Sequence, residues 1–269
     1  MLQFQSPGAI LFQLGPLTIR WYGLFIALGF VAAVMVATRF ARRWQLDQDK
    51  VINSSFVGFI GGIAGARLYY VALSWSQFAR NPLEMFATWN GGLSIHGGII
   101  FGMISGLTFA RLSGLPVLRM MDMAGCAFPI AQCIGRWGNF FNSEAFGLPV
   151  DRSFPLALYI PEVSRPPKFA TNEFFHPTFL YESVWNLAVF LFVYFFASKK
   201  LARYPGVTFM IYLALYSIGR LLIEPIRTDS IMADTIPVPV IASAAMLILA
   251  LLAIPVLIGH HRKKASSEN

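Results

Sequence analysis

Seven apolar stretches of roughly twenty residues run through this chain, at 17–38, 51–73, 93–110, 119–140, 177–197, 207–226 and 236–258. A bilayer's hydrocarbon core takes about 20 apolar residues to cross as a helix. The pattern predicts an all-α protein, a polytopic transmembrane bundle of seven helices. Charged residues are 13% of the chain, against about 25% in soluble domains, and the mean hydropathy is +0.60. The solvent of such a chain is mostly lipid. Its net charge of +8 does not point to a nucleic-acid partner, because the basic residues fall between apolar stretches instead of forming a patch on a soluble domain.

Loop charge predicts orientation. Arg39, Arg42, Arg43, Lys50, Arg111, Arg119, Lys199, Lys200, Arg203, Arg262, Lys263 and Lys264 lie on one side; Arg80, Arg152, Arg165, Lys168 and Arg227 lie on the other. The richer side is expected to be cytoplasmic, with the N-terminus outside and the C-terminus inside. Residues 1–16 contain no Lys or Arg, and no small-residue cleavage site follows the first stretch, so it reads as a permanent span. No internal repeat is visible. Residues 1–269 are expected to form a single membrane-embedded domain, with a proline-bearing exterior segment at about 141–176.

Glycines four apart, Gly58 with Gly62, Gly61 with Gly65, and Gly98, Gly102 and Gly106, predict helices in close backbone contact. Cys126 and Cys133 stand about two helical turns apart, too far for a disulfide, and read as small buried hydrophobes.

Four arginines fall outside the loops. Arg67 lies 16 residues into the second stretch and Arg136 lies 17 into the fourth, roughly 24 and 25 Å at 1.5 Å per residue. Arg220 lies 13 into the sixth, roughly 20 Å, and Arg20 opens the first. Tyr22, His96, Asn139, Asn142, His176, Tyr181, Glu182, Glu224 and Arg227 sit at the same ends of their stretches. Arg220, Glu224 and Arg227 share a helix face. Singly, each has a bland reading: arginines snorkel, amides glue helices together. Jointly they are harder to dismiss, since each ionisable group at depth costs about 2.5–3.5 kcal/mol. Residue logic alone reaches a cationic, amide-rich chamber for an anionic lipid headgroup. A transporter would show repeated halves and a midplane site; a non-catalytic lipid-binding factor would have no use for His96.

Residues 135–147 read Gly-Arg-Trp-Gly-Asn-Phe-Phe-Asn-Ser-Glu-Ala-Phe-Gly. This resembles the G-R-x-G-N-F-x-N-x-E-x-x-G signature of the bacterial phosphatidylglycerol–prolipoprotein diacylglyceryl transferases. Ile19–Gly23, Gly92–Gly98, His176-Pro177-Thr178 with Tyr181-Glu182, and the Arg220, Glu224, Arg227, Asp229 spacing also resemble that family. Phe179 departs from its usual Gln, and Thr228 from its usual Pro. The resemblance implies a transferase of the bacterial plasma (inner) membrane, acting in the first step of lipoprotein biosynthesis. Its partners would be membrane lipids and a prolipoprotein signal peptide. It would move the diacylglyceryl group of phosphatidylglycerol to the lipobox cysteine thiol, form a thioether and release glycerol 1-phosphate, with no cofactor or metal.

Such a reaction is displacement at an sp³ carbon. It needs a proton acceptor for the thiol and oriented donors for the departing phosphate. The expected catalytic residues are His96, Arg136 and Arg220. His96 is the candidate base or a lipid-orienting group, since an imidazole titrates near neutrality. Phosphatidylglycerol contacts are expected from Arg136, Asn139, Tyr22, Arg67, Asn142, Glu144 and Gly147, with Tyr181, Glu182, Glu224 and Arg227 in support. Glu144 is expected either to bind the glycerol hydroxyls or to fix Arg136.

Overall fold

A computed structural model describes residues 4–15, 17–79, 81–88, 91–230, 232–234 and 236–267. Among these, seven helices are long and apolar enough to cross a membrane: α1 (Trp21–Arg43), α2 (Gln48–Leu73), α3 (Ile95–Leu112), α4 (Val117–Asn142), α5 (Thr178–Lys200), α6 (Val207–Ile226) and α7 (Val238–Ser267). Every expected stretch holds one of these helices. Short strands lie before and between them: β1 (Phe4–Gln5), β2 (Ile10–Leu14), β3 (Leu17–Arg20), β4 (Leu158–Tyr159), β5 (Phe174–Phe175), β6 (Met232–Ala233) and β7 (Ile236–Pro237). The expected helix start at 17 is corrected to 21, because Leu17–Arg20 pairs antiparallel with Ile10–Leu14. Gly15, at φ +58°, lies between the two strands, and β-branched Thr18 and Ile19 suit a pleated pair. Pro129 and Pro255 sit inside α4 and α7, as membrane helices tolerate. Arg80, one of the loop cations counted above, lies outside the described residues.

The chain divides into two compact units, Met1–Ala33 with Ala124–Asn269, and Val34–Met123. In the second unit α2 begins on Asp47, whose carboxylate accepts from the Asp49 and Lys50 amides at 3.0 and 3.2 Å, a cap worth about 1 kcal/mol. Helices α2 and α3 then run antiparallel with their backbones nearly touching. A Cβ added at Gly62 would stand 3.1 Å from the Gly98 carbonyl, and one at Gly102 would stand 3.0 Å from that of Gly58. Ser54 Oγ donates to the Gly106 carbonyl at 2.9 Å. The glycine rows are thus a packing face.

In the first unit α4 meets α1, α5 and α6. A Cβ at Gly29 would stand 3.0 Å from the Ala131 carbonyl, and one at Gly125 would stand 2.9 Å from the Phe209 Cα. Ser183 Oγ donates to the Cys133 carbonyl at 2.9 Å. Beyond α4, β4 pairs parallel with β1 and antiparallel with β5, over a core of Phe140, Phe146, Leu158, Ile160, Phe175 and Phe179. The Phe179 ring centroid lies 5.0 Å from that of Phe140 and 5.5 Å from that of Trp137, so its departure from Gln makes this spot apolar core. Thr228 gives both its amide and its hydroxyl to the Phe146 carbonyl, and a proline there would lack the amide donor.

Candidate active site

Glu182, in the second turn of α5, is buried and gathers three guanidiniums. Arg136 Nε of α4 pairs with its Oε2. Arg220 Nη1 of α6 and Arg227 Nη1 reach Oε1 at 2.7 and 2.8 Å. Arg220 also pairs with Glu224 one turn on, at 2.5 Å. Ser230 donates to the other Glu224 oxygen at 2.7 Å. Arg227 grips Asp229 with two bonds, at 3.0 and 2.8 Å. For Arg227, burial works to lower the pKa, but Glu182 and Asp229 outweigh it and raise it. Three cations thus meet three carboxylates. Buried charges tolerate desolvation only when paired in this way.

The three arginines differ in what they leave available. Arg220 and Arg227 place both Nη nitrogens on carboxylates. Arg136 uses Nε for Glu182 and sends Nη1 to Asn139 Oδ1 at a long 3.4 Å. Its Nη2 makes no hydrogen bond among the described residues. Asn139 donates to Glu144 at 2.8 Å and Asn142 donates to the same oxygen at 3.3 Å. Glu144 is therefore linked to Arg136 through an amide, with no ion pair between them among the described residues. It is flanked by Ser143 and Ala145 at φ +52° and +56°, left-handed values that are uncommon outside glycine. The Ala145 carbonyl accepts the Thr178 hydroxyl, which ties this turn to the start of α5. Tyr22 lies against Gly138, within electrostatic reach of Glu144 and Arg136.

Other expected residues stand elsewhere. Gly147 is a packing position, since a Cβ there would come within 2.7–2.9 Å of His176, Ile226 and Thr178. Tyr181 Oη meets His176 Nδ1 at 3.1 Å, apart from the Glu182 ion pairs, and burial lowers the His176 pKa from its usual value. Arg227 contacts Glu182 and Asp229, and it meets Arg220 through the Glu182 oxygen they share. Arg67 and His96 belong to the second unit. Arg67 is buried among backbone carbonyls, a different setting from the lipid contact expected of it. His96 opens α3 beside Tyr69, with ring centroids 6.4 Å apart.

Sequence reading missed Asn186, Trp185 and Tyr216, which line a small cleft with Arg136, Glu182 and Arg220. Asn186 is one turn after Glu182 and Tyr216 one turn before Arg220, so helical spacing held the signal. Asn186 Oδ1 is buried and accepts no hydrogen bond among the described residues.

Fold and site together define a polytopic membrane protein with a charge-balanced guanidinium–carboxylate cluster where α4, α5 and α6 meet. A sequence model of the prolipoprotein diacylglyceryl transferase family matches residues 9–256. The chain is 45% identical over 252 residues to the phosphatidylglycerol–prolipoprotein diacylglyceryl transferase of Trichormus variabilis, spanning 92% of this chain and 89% of that protein. It is 44% identical over 252 residues to the enzyme of that name from Nostoc sp., spanning 92% and 88%. It is 41% identical over 224 residues to that of Fervidobacterium nodosum, spanning 83% and 76%. This chain belongs to the prolipoprotein diacylglyceryl transferase family.

Proposed function

We propose that this protein transfers the diacylglyceryl group of phosphatidylglycerol to the lipobox cysteine thiol of prolipoproteins, at the exterior face of a bacterial plasma membrane. The observation that carries the reading is the Arg136–Glu182–Arg220 cluster in a chain of this family. In the reaction a sulfur–carbon bond forms at the glyceryl sp³ carbon and the carbon–oxygen bond to phosphate breaks. The electron pair leaves with glycerol 1-phosphate, whose phosphate gains a second negative charge as the thiol loses its proton.

Arg136 is the residue suited to meet that charge, because its Nη edge is the least engaged and a guanidinium fork matches phosphate geometry. Arg220 and Arg227 hold Glu182, and Glu182 aims Arg136. Asn139 meets the same edge, Tyr22 lies within its electrostatic reach, and Glu144, held by Asn139 and Asn142, is offered to the glycerol hydroxyls. We assign the thiol proton to His96 on chemistry alone: a neutral imidazole nitrogen is a general base that can accept it. The lysine and arginine bias of the loops supports a cytoplasmic C-terminus. The test is purified protein with phosphatidylglycerol vesicles and a lipobox peptide. The cysteine should gain one diacylglyceryl unit by mass, and a Cys→Ser peptide should gain none. An unmodified cysteine in the presence of folded protein would refute the reaction.

A further inference from the structure

Arg67 has no carboxylate partner among the described residues, yet it is buried in α2. Its guanidinium instead meets backbone carbonyls on every nitrogen. Nε donates to Met85 at 2.8 Å, Nη1 to Gly91 and Gly92 at 2.7 and 2.9 Å, and Nη2 to Glu84 at 2.6 Å and Ala87 at 3.4 Å. The Tyr70 and Phe78 rings lie 5.9 and 5.2 Å from its centre. A guanidinium so engaged has no face left for a phosphate. What it holds is the turn that leads into α3 and His96. Neighbouring α2 residues grip the same turn. The Ser94 amide donates to the Ala66 carbonyl at 3.0 Å, Gly97 is pressed on Gly65 and Tyr69, and Tyr69 faces His96. Gly92, at φ +75°, has Arg67 Nη1 and Tyr70 each 2.6 Å from where a Cβ would stand.

We propose that Arg67 is a positioning residue for His96, acting through the Gly91–Gly92 turn. The proposal rests on the reading of His96 as the thiol's proton acceptor. Lysine offers one point charge in place of a five-donor fork, so Arg67→Lys cannot hold both ends of the 84–92 segment. The turn loosens and His96 loses its aim. A misplacement of about 1 Å can cost roughly 100-fold in rate.

The experiment compares full-length wild type, Arg67→Lys, His96→Gln and the double variant, in micelles containing phosphatidylglycerol and a lipobox peptide. Amide hydrogen exchange over residues 84–98 is followed alongside. Arg67→Lys should lower kcat about 100-fold with little change in KM for the lipid. The double variant should be no slower than His96→Gln alone, as expected of residues acting as a unit. Exchange over 84–98 should rise in Arg67→Lys and stay unchanged in His96→Gln. Gly92→Ala attacks the same turn while keeping the guanidinium, and should reproduce the kinetic phenotype if Arg67→Lys does not fold. A raised KM with kcat retained would make Arg67 a lipid contact and overturn the proposal, as would losses that multiply in the double variant. Unchanged exchange in Arg67→Lys overturns the positioning role even where His96 proves essential. A His96→Gln variant with wild-type rate and pH profile overturns the proton-acceptor reading instead.

Discussion

Arg67 and the Arg136–Arg220–Arg227 cluster share a residue type, but they are held by opposite chemistry. The cluster is bound by carboxylates, so its guanidiniums are held charge to charge, with the Arg136 Nη edge the least engaged. Arg67 is bound by neutral carbonyl dipoles of one segment, so its bonds shape a backbone. What a buried arginine does follows from its partners more than from where it sits. The first arrangement is charge pairing and the second is a strut.

The sharpest way to break that contrast is to remove the shared carboxylate. Glu182→Gln leaves three partly buried guanidiniums sharing fewer charges around a buried position. It should abolish thioether formation and lower stability by roughly 3–5 kcal/mol, the usual cost of breaking a buried pair. Thermal unfolding with an activity assay checks this, and a variant of wild-type stability would deny Glu182 its central place. Next in size is Arg136→Lys, which keeps the charge and loses the fork. Loss of one charge-assisted hydrogen bond, about 1.5–3 kcal/mol, should cut kcat/KM roughly 10- to 150-fold. Full activity in that variant would argue against an Nη clamp. Smaller still is Asp229→Asn, because Asp229 is 44% exposed in its side chain. Rim pairs are worth about 0–1 kcal/mol, so activity should fall only a few-fold.

The smallest effect concerns pH. Burial lowers the His176 pKa in the folded protein, while the unfolded chain titrates at its usual value of about 6.5. Below about pH 6.5 the unfolded state binds the proton first, so stability should fall as pH drops until the folded imidazole also titrates. Above that value the contribution is complete. Thermal unfolding from pH 7.5 to 5 should show a steeper acid loss for wild type than for His176→Gln, and parallel curves would contradict it.

The seven helices were legible because a bilayer imposes one length on every span, and apolar runs of that length stand out. The β2–β3 hairpin was not, since Leu17, Thr18 and Ile19 are as apolar as the helix they precede. Within the site, the Arg220–Glu224 pair follows from helical spacing. The meeting of Arg136, Arg220 and Arg227 at Glu182 depends on how α4, α5 and α6 pack, which no local pattern encodes. Arg67 was the hardest to read. Its partners are carbonyls, and every residue carries one, so no side-chain pattern in 84–92 marks the segment as its ligand.

A cryo-electron microscopy structure with phosphatidylglycerol bound would test the central idea most directly. A phosphate oxygen should lie about 2.7–2.9 Å from an Arg136 Nη nitrogen, with Arg67 still on the carbonyls of Glu84, Met85, Ala87, Gly91 and Gly92. A headgroup seated on Arg67, or one bound away from Arg136 and Arg220 altogether, would contradict it.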